Sequence, residues 1–253
     1  MNHRFLPWHP ETYFRYLSSQ LVVGTIGGIS KLALLRHKVI IHGYDKLEKH
    51  VLNRKGPVIT VSNHLSTLDD PLLFGILPFS VFVDPKRMRI SPGAMELTFD
   101  VNSYFFNSGL VVPIIRGNGI WQKGMDHCVD KLNDDAWIHL YPEGKVNQKL
   151  DACLRWKWGI SRLIMDCKNP VVIIPFAHRG LENLMPLDPE TRENKNYIPN
   201  YGGMIEIAFG DPIEYNHILA ECKGSEDAYS RILLTSYLQK QFEDFRISIF
   251  GAK

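Results

Sequence analysis

Residues 61–75 read VSNHLSTLDDPLLFG, and within them His64 stands five positions before Asp69. Histidine titrates near neutrality, so it can take a proton from a hydroxyl and return it, while a carboxylate can hold the imidazole in one tautomer and stabilise its protonated form. In a continuous helix a five-residue step turns two side chains by about 140° from each other, so this pair can cooperate only across a turn. The context predicts one. The apolar run Val58 to Val61 reads as a strand, and Asp70-Pro71 reads as a helix start, with Asp70 as N-cap and Pro71 at the first helical position. The positive end of that helix would also favour a nearby phosphate or oxyanion. By itself the pair equally describes a turn histidine bonded to a capping carboxylate, because a chain with ten histidines produces this spacing by chance.

Two further turns add weight to the catalytic reading. VVPIIRGN (111–118) and HLYPEGKVN (139–147) each run an apolar strand into a polar turn that holds glycine. Arg116, beside Gly117, can fork two hydrogen bonds onto a phosphate. Pro142 ends strand pairing, Gly144 permits close backbone approach to a ligand, and Lys145 adds a second positive charge. Glu143 either orients these cations or bonds a substrate hydroxyl. Each turn alone also fits an ordinary solvated strand end. Three of them at the carboxyl ends of strands point to one shared site, because that edge is where open α/β sheets bind ligands. RWKWG (155–159) suits a lipid headgroup boundary or, equally, the start of a core helix.

Other chemistries lack their signatures. There is no GxSxG elbow, no P-loop and no paired-cysteine zinc pattern. The four cysteines, at 128, 153, 167 and 222, suggest neither a disulfide framework nor a metal knot. His64, Asp69, Asp70, His139 and Glu143 have no local spacing for a closed ligand set, so no metal is expected.

The elements that would position these residues alternate along the chain. KVIIHG, PVITVS, SVFVD, GLVVPII, AWIHLY, PVVIIPFA and GMIEIAFG read as strands. Helices are expected over 44–54, 70–77, 93–106, 120–133, 157–167 and 225–248, and Trp121, Met125, Cys128 and Leu132 share one stripe of the fourth. Several strands are apolar throughout, as when helices cover both faces of a sheet. The expected fold class is therefore α/β, a layered mixed sheet flanked by helices. The stretch 180–203 is the one long polar connection, a solvated loop or a mobile one near the site.

The 253 residues, 45% hydrophobic and 22% charged, suffice for one main domain. The net charge of +2 conceals an asymmetry, because residues 1–60 carry nine Lys and Arg against three Asp and Glu. That basic front can meet an anionic surface. Inside it, FRYLSSQLVVGTIGGISKLALLRHK is short for a membrane span and lacks the cleavage site of a secretory signal. A membrane-interfacial helix fits best, with a buried core helix and a true span as alternatives. The expected division is a membrane-associating helical segment over 1–37 and an α/β catalytic domain over 38–253.

Taken in order, NHLSTLD, PIIRG, YPEG and VVIIP resemble the four blocks of the glycerolipid acyltransferases, over roughly residues 56–215. Within that family NHLSTLDDP, QKGMD, KLNDDAWIHLYPEGKVN, RWKWGISRLI and HRG are similar to a branch that moves acyl chains directly between phospholipids and lysophospholipids, cardiolipin included, at mitochondrial membranes. The resemblance implies His64 and Asp69 as catalytic residues. It implies Arg116, Gly117, Glu143, Gly144, Lys145 and Asn147 as substrate-binding residues. The wider family continues P-E-G with T-R-S, whereas this chain has Lys145-Val146-Asn147, which removes an arginine and a hydroxyl and speaks against coenzyme A. No cofactor is implied. The implied partners are phospholipids, lysophospholipids and a membrane surface facing the intermembrane space, with no nucleic acid. An acyl-CoA-dependent lysophospholipid acyltransferase and a non-catalytic module that grips anionic lipids are the competing readings.

Overall fold

The computed structural model describes residues 13–98, 103–149, 153–188, 190–191, 193–196 and 198–251. Its elements are α1 (Tyr13–Leu34), β1 (Lys38–His42), α2 (Tyr44–Leu47), β2 (Val58–Ser62), α3 (Asp69–Leu73), α4 (Phe79–Phe82), β3 (Ser91–Ala94), α5 (Met95–Thr98), α6 (Ser103–Ser108), β4 (Val111–Ile114), α7 (Lys123–Asn133), β5 (Trp137–Leu140), α8 (Gly159–Asp166), β6 (Val172–Arg179), β7 (Met204–Phe209), α9 (Asn216–Glu221) and α10 (Asp227–Phe250). A π-helical turn (Glu48–Leu52) prolongs α2, and a 3-10 turn (Phe74–Ile76) prolongs α3.

The fold is α/β, as the alternation of elements predicts. Five strands form a mixed sheet in the order β1-β7-β6-β2-β5, parallel throughout except where β6 meets β7. β3 and β4 form a parallel pair, and a parallel bridge from Ile90 to Ile138 joins that pair to β5. All five residues of β2 are buried, which is why its sequence is apolar or small on both sides of the pleat. Phe74 packs edge-on against Trp137 and His139 of β5 and Phe176 of β6. α7 covers β3, β4 and β5, and α10 lies against α8, α9 and β6.

Several local expectations are corrected. SVFVD lies in α4 and the residues after it, not in a strand, because Val81 and Phe82 bury their side chains and the Phe82 ring packs under α1. The missed strand is β3, Ser91-Pro92-Gly93-Ala94, which has no apolar alternation and exists through its pairing with β4. The expected helix over 93–106 is thus broken, with 99–102 outside the described residues. Met125, Cys128 and Leu132 of α7 are buried as expected, but Trp121 precedes the helix and is exposed, with Arg162 and Arg231 stacked on its ring at 4.5 and 4.9 Å. α9 has no counterpart among the expected helices.

α1 is built inside out. The face turned to the domain carries Ser19, Val23, Gly27, Ser30 and Leu34, whereas Phe14, Leu21, Ile29 and Leu32 of the opposite face are 72%, 71%, 62% and 68% exposed. The small inner residues let the helix sit close on α3, α4 and α6. A Cβ on Gly27 would lie 2.6 Å from the Phe82 ring, and one on Gly75 would lie 2.8 Å from the Ser30 carbonyl carbon. By length and composition Phe14–Leu34 would also suffice to cross a bilayer. Residues 1–12 of the expected N-terminal segment lie outside the described residues.

Candidate active site

The chain leaving β2 is pinned before it reaches His64. Asn63 donates from Nδ2 to the His178 carbonyl at 2.9 Å and accepts the His178 N–H at 3.1 Å. His178 returns a bond from Nε2 to the Asn63 carbonyl at 2.9 Å. β2 and β6 are paired neighbours, so this clamp sets where the next residue can project.

The turn then closes around Asp69. Its Oδ2 accepts the N–H groups of Leu65 at 2.6 Å and Ser66 at 2.9 Å, and lies 2.9 Å from His64 Nδ1. The two side chains meet across the turn, as the five-residue step requires. Asp69 is fully buried, while the His64 side chain remains 19% exposed. A carboxylate at Nδ1 places the neutral ring's proton there and leaves Nε2 as the basic nitrogen. His178 Nε2 is 3.6 Å from the same Oδ2, but burial holds that imidazole below its ordinary pKa and hence neutral.

Asp70 is not the N-cap. α3 starts at Asp69 with Leu68 as N-cap, and Pro71 is its third residue. The Asp70 carboxylate is drawn instead to the Arg89 guanidinium and to Ser91 Oγ at 3.0 Å.

The P-E-G loop is strapped to this turn. The Asn147 N–H donates to the His64 carbonyl at 2.6 Å, and Gln148 Nε2 donates to the Leu65 carbonyl at 2.9 Å. Glu143 is buried and turned inward, its Oε2 accepting from Asn147 Nδ2 at 3.0 Å and the Leu154 N–H at 2.9 Å. Burial pushes the Glu143 carboxyl up, opposed by those donors and by the nearby His64. Glu143 and Asn147 are therefore brought beside His64, with their polar groups engaged in holding the loop. Gly144 and Lys145 form its exposed rim. A cavity lined by Asn63, Leu65, Glu143, Asn147 and His178 adjoins the turn.

Arg116 and Gly117 lie farther out, on the exposed turn after β4, with Arg116 3.5 Å from Glu96. β4 stands three strand spacings from β2, about 14 Å. In RWKWG, Trp156 is buried against Phe242 at 5.4 Å while Arg155 and Lys157 face outward, so the block serves the core and the surface at once.

Asn63, Gln148 and His178 escaped the sequence reading, although His178 lies in the HRG block. Their contacts join residues far apart in the chain, and only the sheet order brings them together. Tyr141, directly after β5, stacks on the His64 ring.

A parallel sheet edge that presents a carboxylate-bound histidine at one strand end and a P-E-G loop at the next defines a class, and residues 38–179 match the Acyltransferase family. The chain belongs to that family. It is similar to Tafazzin of Drosophila melanogaster, 33% identical over 92% of this chain and 62% of the relative. It is similar to Taffazin of Dictyostelium discoideum, 36% identical over 80% of this chain and 72% of the relative. It is also similar to N-acylphosphatidylethanolamine synthase of Arabidopsis thaliana, 34% identical over 77% and 70%. The chain thus spans under two thirds of the fly relative's length. Its backbone resembles the crystal structure of the 1-acyl-sn-glycerophosphate acyltransferase PlsC from Thermotoga maritima, with a TM-score of 0.54 at 17% identity over 89% of this chain and 79% of that one.

Proposed function

We propose that the chain is a coenzyme-A-independent phospholipid–lysophospholipid transacylase that remodels cardiolipin and other phospholipids. The observation that carries the reading is the His64–Asp69 contact, with His64 Nε2 left basic on a partly exposed ring. His64 Nε2 removes the proton from the free glycerol hydroxyl of a lysophospholipid as its oxygen attacks the acyl ester carbon of a second phospholipid. The imidazolium is stabilised by Asp69 Oδ2, and backbone N–H groups of the surrounding turns other than those of Leu65 and Ser66, which Asp69 already engages, meet the tetrahedral oxyanion. The intermediate collapses with loss of the donor's glycerol oxygen, which takes the proton from His64. One ester is broken as one is made, so no activated donor is consumed.

Arg116 and Gly117 on their outer turn, with Gly144 and Lys145 on the loop rim, hold phosphate groups. Glu143 and Asn147 contribute by shaping the loop beside the bound headgroup. Asn147, where the wider family has a hydroxyl, bonds inward to Glu143, which supports a site not adapted to coenzyme A. No resident metal or cofactor enters this scheme.

Residues 1–37 seat the protein on the membrane and residues 38–253 perform catalysis. The bulky outer stripe of α1 supports monotopic seating, because exposed leucines of this kind favour a hydrocarbon boundary. The proposed location is a mitochondrial membrane surface facing the intermembrane space.

The test uses purified full-length chain with liposomes of labelled phosphatidylcholine and lysocardiolipin. Transfer without coenzyme A, lost in His64→Ala while membrane binding persists, is the expected result. Transfer only on addition of acyl-CoA would favour the acyl-CoA-dependent alternative. The similarity to the Arabidopsis synthase motivates a second acceptor, and acyl transfer to phosphatidylethanolamine nitrogen would redirect the proposal from ester to amide formation. Intact transfer in His64→Ala would leave a lipid-gripping module as the better reading.

A further inference from the structure

The imidazole of His64 lies nearly flat on the Tyr141 ring, with centroids 4.2 Å apart and planes 23° from parallel. Tyr141 comes directly after β5, and the same ring meets His139 edge-on at 4.6 Å. It is wedged between an accessible histidine and a fully buried one. The phenol oxygen is itself buried and has no hydrogen-bond partner among the described residues. Burial, with the Asp70 and Asp69 carboxylates, holds that phenol well above its ordinary pKa, so the hydroxyl stays neutral. The hydroxyl therefore makes no polar contact for the site, and the aromatic ring is what touches the base.

A single in-plane bond to Asp69 leaves the imidazole free to tilt about that bond, whereas a flat neighbour removes the freedom. The face of an aromatic ring is also electron-rich and attracts a cation laid on it. We propose that Tyr141 is a positioning residue for His64, its ring fixing the imidazole plane toward Asp69 Oδ2 and favouring the imidazolium formed during acyl transfer. This rests on the reading of His64 as the general base.

The other ionisable groups around His64 do not duplicate that role. Asp69, from α3, supplies the negative charge at 2.9 Å. Burial keeps His139 of β5 and His178 of β6 neutral, and Arg89 is paired with Asp70. Glu143, on the loop after β5, accepts from Asn147 and Leu154.

The test is the pH dependence of kcat/KM for lipid transfer, together with a nitrogen-15 NMR titration of the His64 ring. Losing the stack disfavours the imidazolium, so in Tyr141→Leu the acid limb and the His64 midpoint should both move to lower pH by about half a unit. Transfer at the plateau should fall about tenfold. Tyr141→Phe keeps the ring, drops the unpartnered hydroxyl and should match the parent in both readouts. If Tyr141→Leu does not fold, phenylalanine analogues with one to five ring fluorines at position 141 keep the shape and weaken the π face, and the midpoint should step down with each fluorine. A midpoint unmoved in Tyr141→Leu and across the fluorine series would overturn the proposal, as would a Tyr141→Phe shift as large as that of leucine. The NMR titration reads His64 even in a chain with no transfer activity, so failure of the base assignment and failure of the stack give separate results.

Discussion

Oδ2 of Asp69 and Nδ1 of His64 are 2.9 Å apart, yet that oxygen is also the acceptor for two backbone N–H groups of the turn between them. Shape and chemistry thus depend on one atom. Asp69→Asn can still offer an oxygen to the turn, but it cannot stabilise an imidazolium. Transfer should fall by about 10²–10⁴ while the protein remains folded. Acyl-transfer rates set beside circular dichroism check this, and near-normal transfer would remove Asp69 from the mechanism.

Gly27 governs the seat of α1. Because an added Cβ would lie 2.6 Å from the Phe82 ring, Gly27→Val should push the helix off α4. Overpacking of this kind costs about 1–3 kcal/mol. The expected readout is a lower Tm in detergent, with Gly28→Val as control, since nothing among the described residues lies within 4 Å of a Cβ there.

The outer stripe of α1 should control membrane attachment apart from folding. Leu21 and Leu32 are 71% and 68% exposed, and each leucine withdrawn from water stabilises attachment by about 1.5–3 kcal/mol. In Leu21→Glu combined with Leu32→Glu, vesicle binding should weaken at least a hundredfold while Tm stays nearly constant. Unchanged flotation with liposomes would move the membrane contact elsewhere.

His139 and His178 make stability depend on pH. Both are held below 6.5 when folded, mainly by burial, and regain ordinary values when unfolded. Below about pH 6.5 the unfolded chain binds protons that the folded chain refuses. Stability is therefore full above that pH and is lost as pH falls toward the folded values, by up to about 1.4 kcal/mol per pH unit for each histidine. The raised carboxyl of Glu143 works in the opposite direction at lower pH. Urea unfolding at about pH 7 and about pH 5.5 should show the loss, and His139→Gln should roughly halve it.

Legibility in the sequence followed the range of the forces involved. β2 and β6 were readable because burial on both faces demands continuous apolar residues, and α7 because its stripe repeats at helical spacing. β3 was not, since Pro92 and Gly93 carry no strand preference and the segment takes its form from β4. Val81 and Phe82 looked like strand residues but answer to α1, a partner some fifty residues away. His64 and Asp69 were legible as a turn-linked pair because their relation is local. Asp70 reads locally as a cap because its actual partners, Arg89 and Ser91, lie about twenty residues on. The Asn63–His178 clamp and the Tyr141 stack depend on which strands are neighbours, which a linear pattern does not state.

The inside-out build of α1 also sets an order of assembly. The helix precedes α3, α4 and α6 in the chain, so it is synthesised before its docking places exist. In the interval its inner face as well as its outer stripe is uncovered, and lipid or a chaperone is the available shelter. On the proposed membrane seating, contact of α1 with lipid would then come before completion of the α/β body.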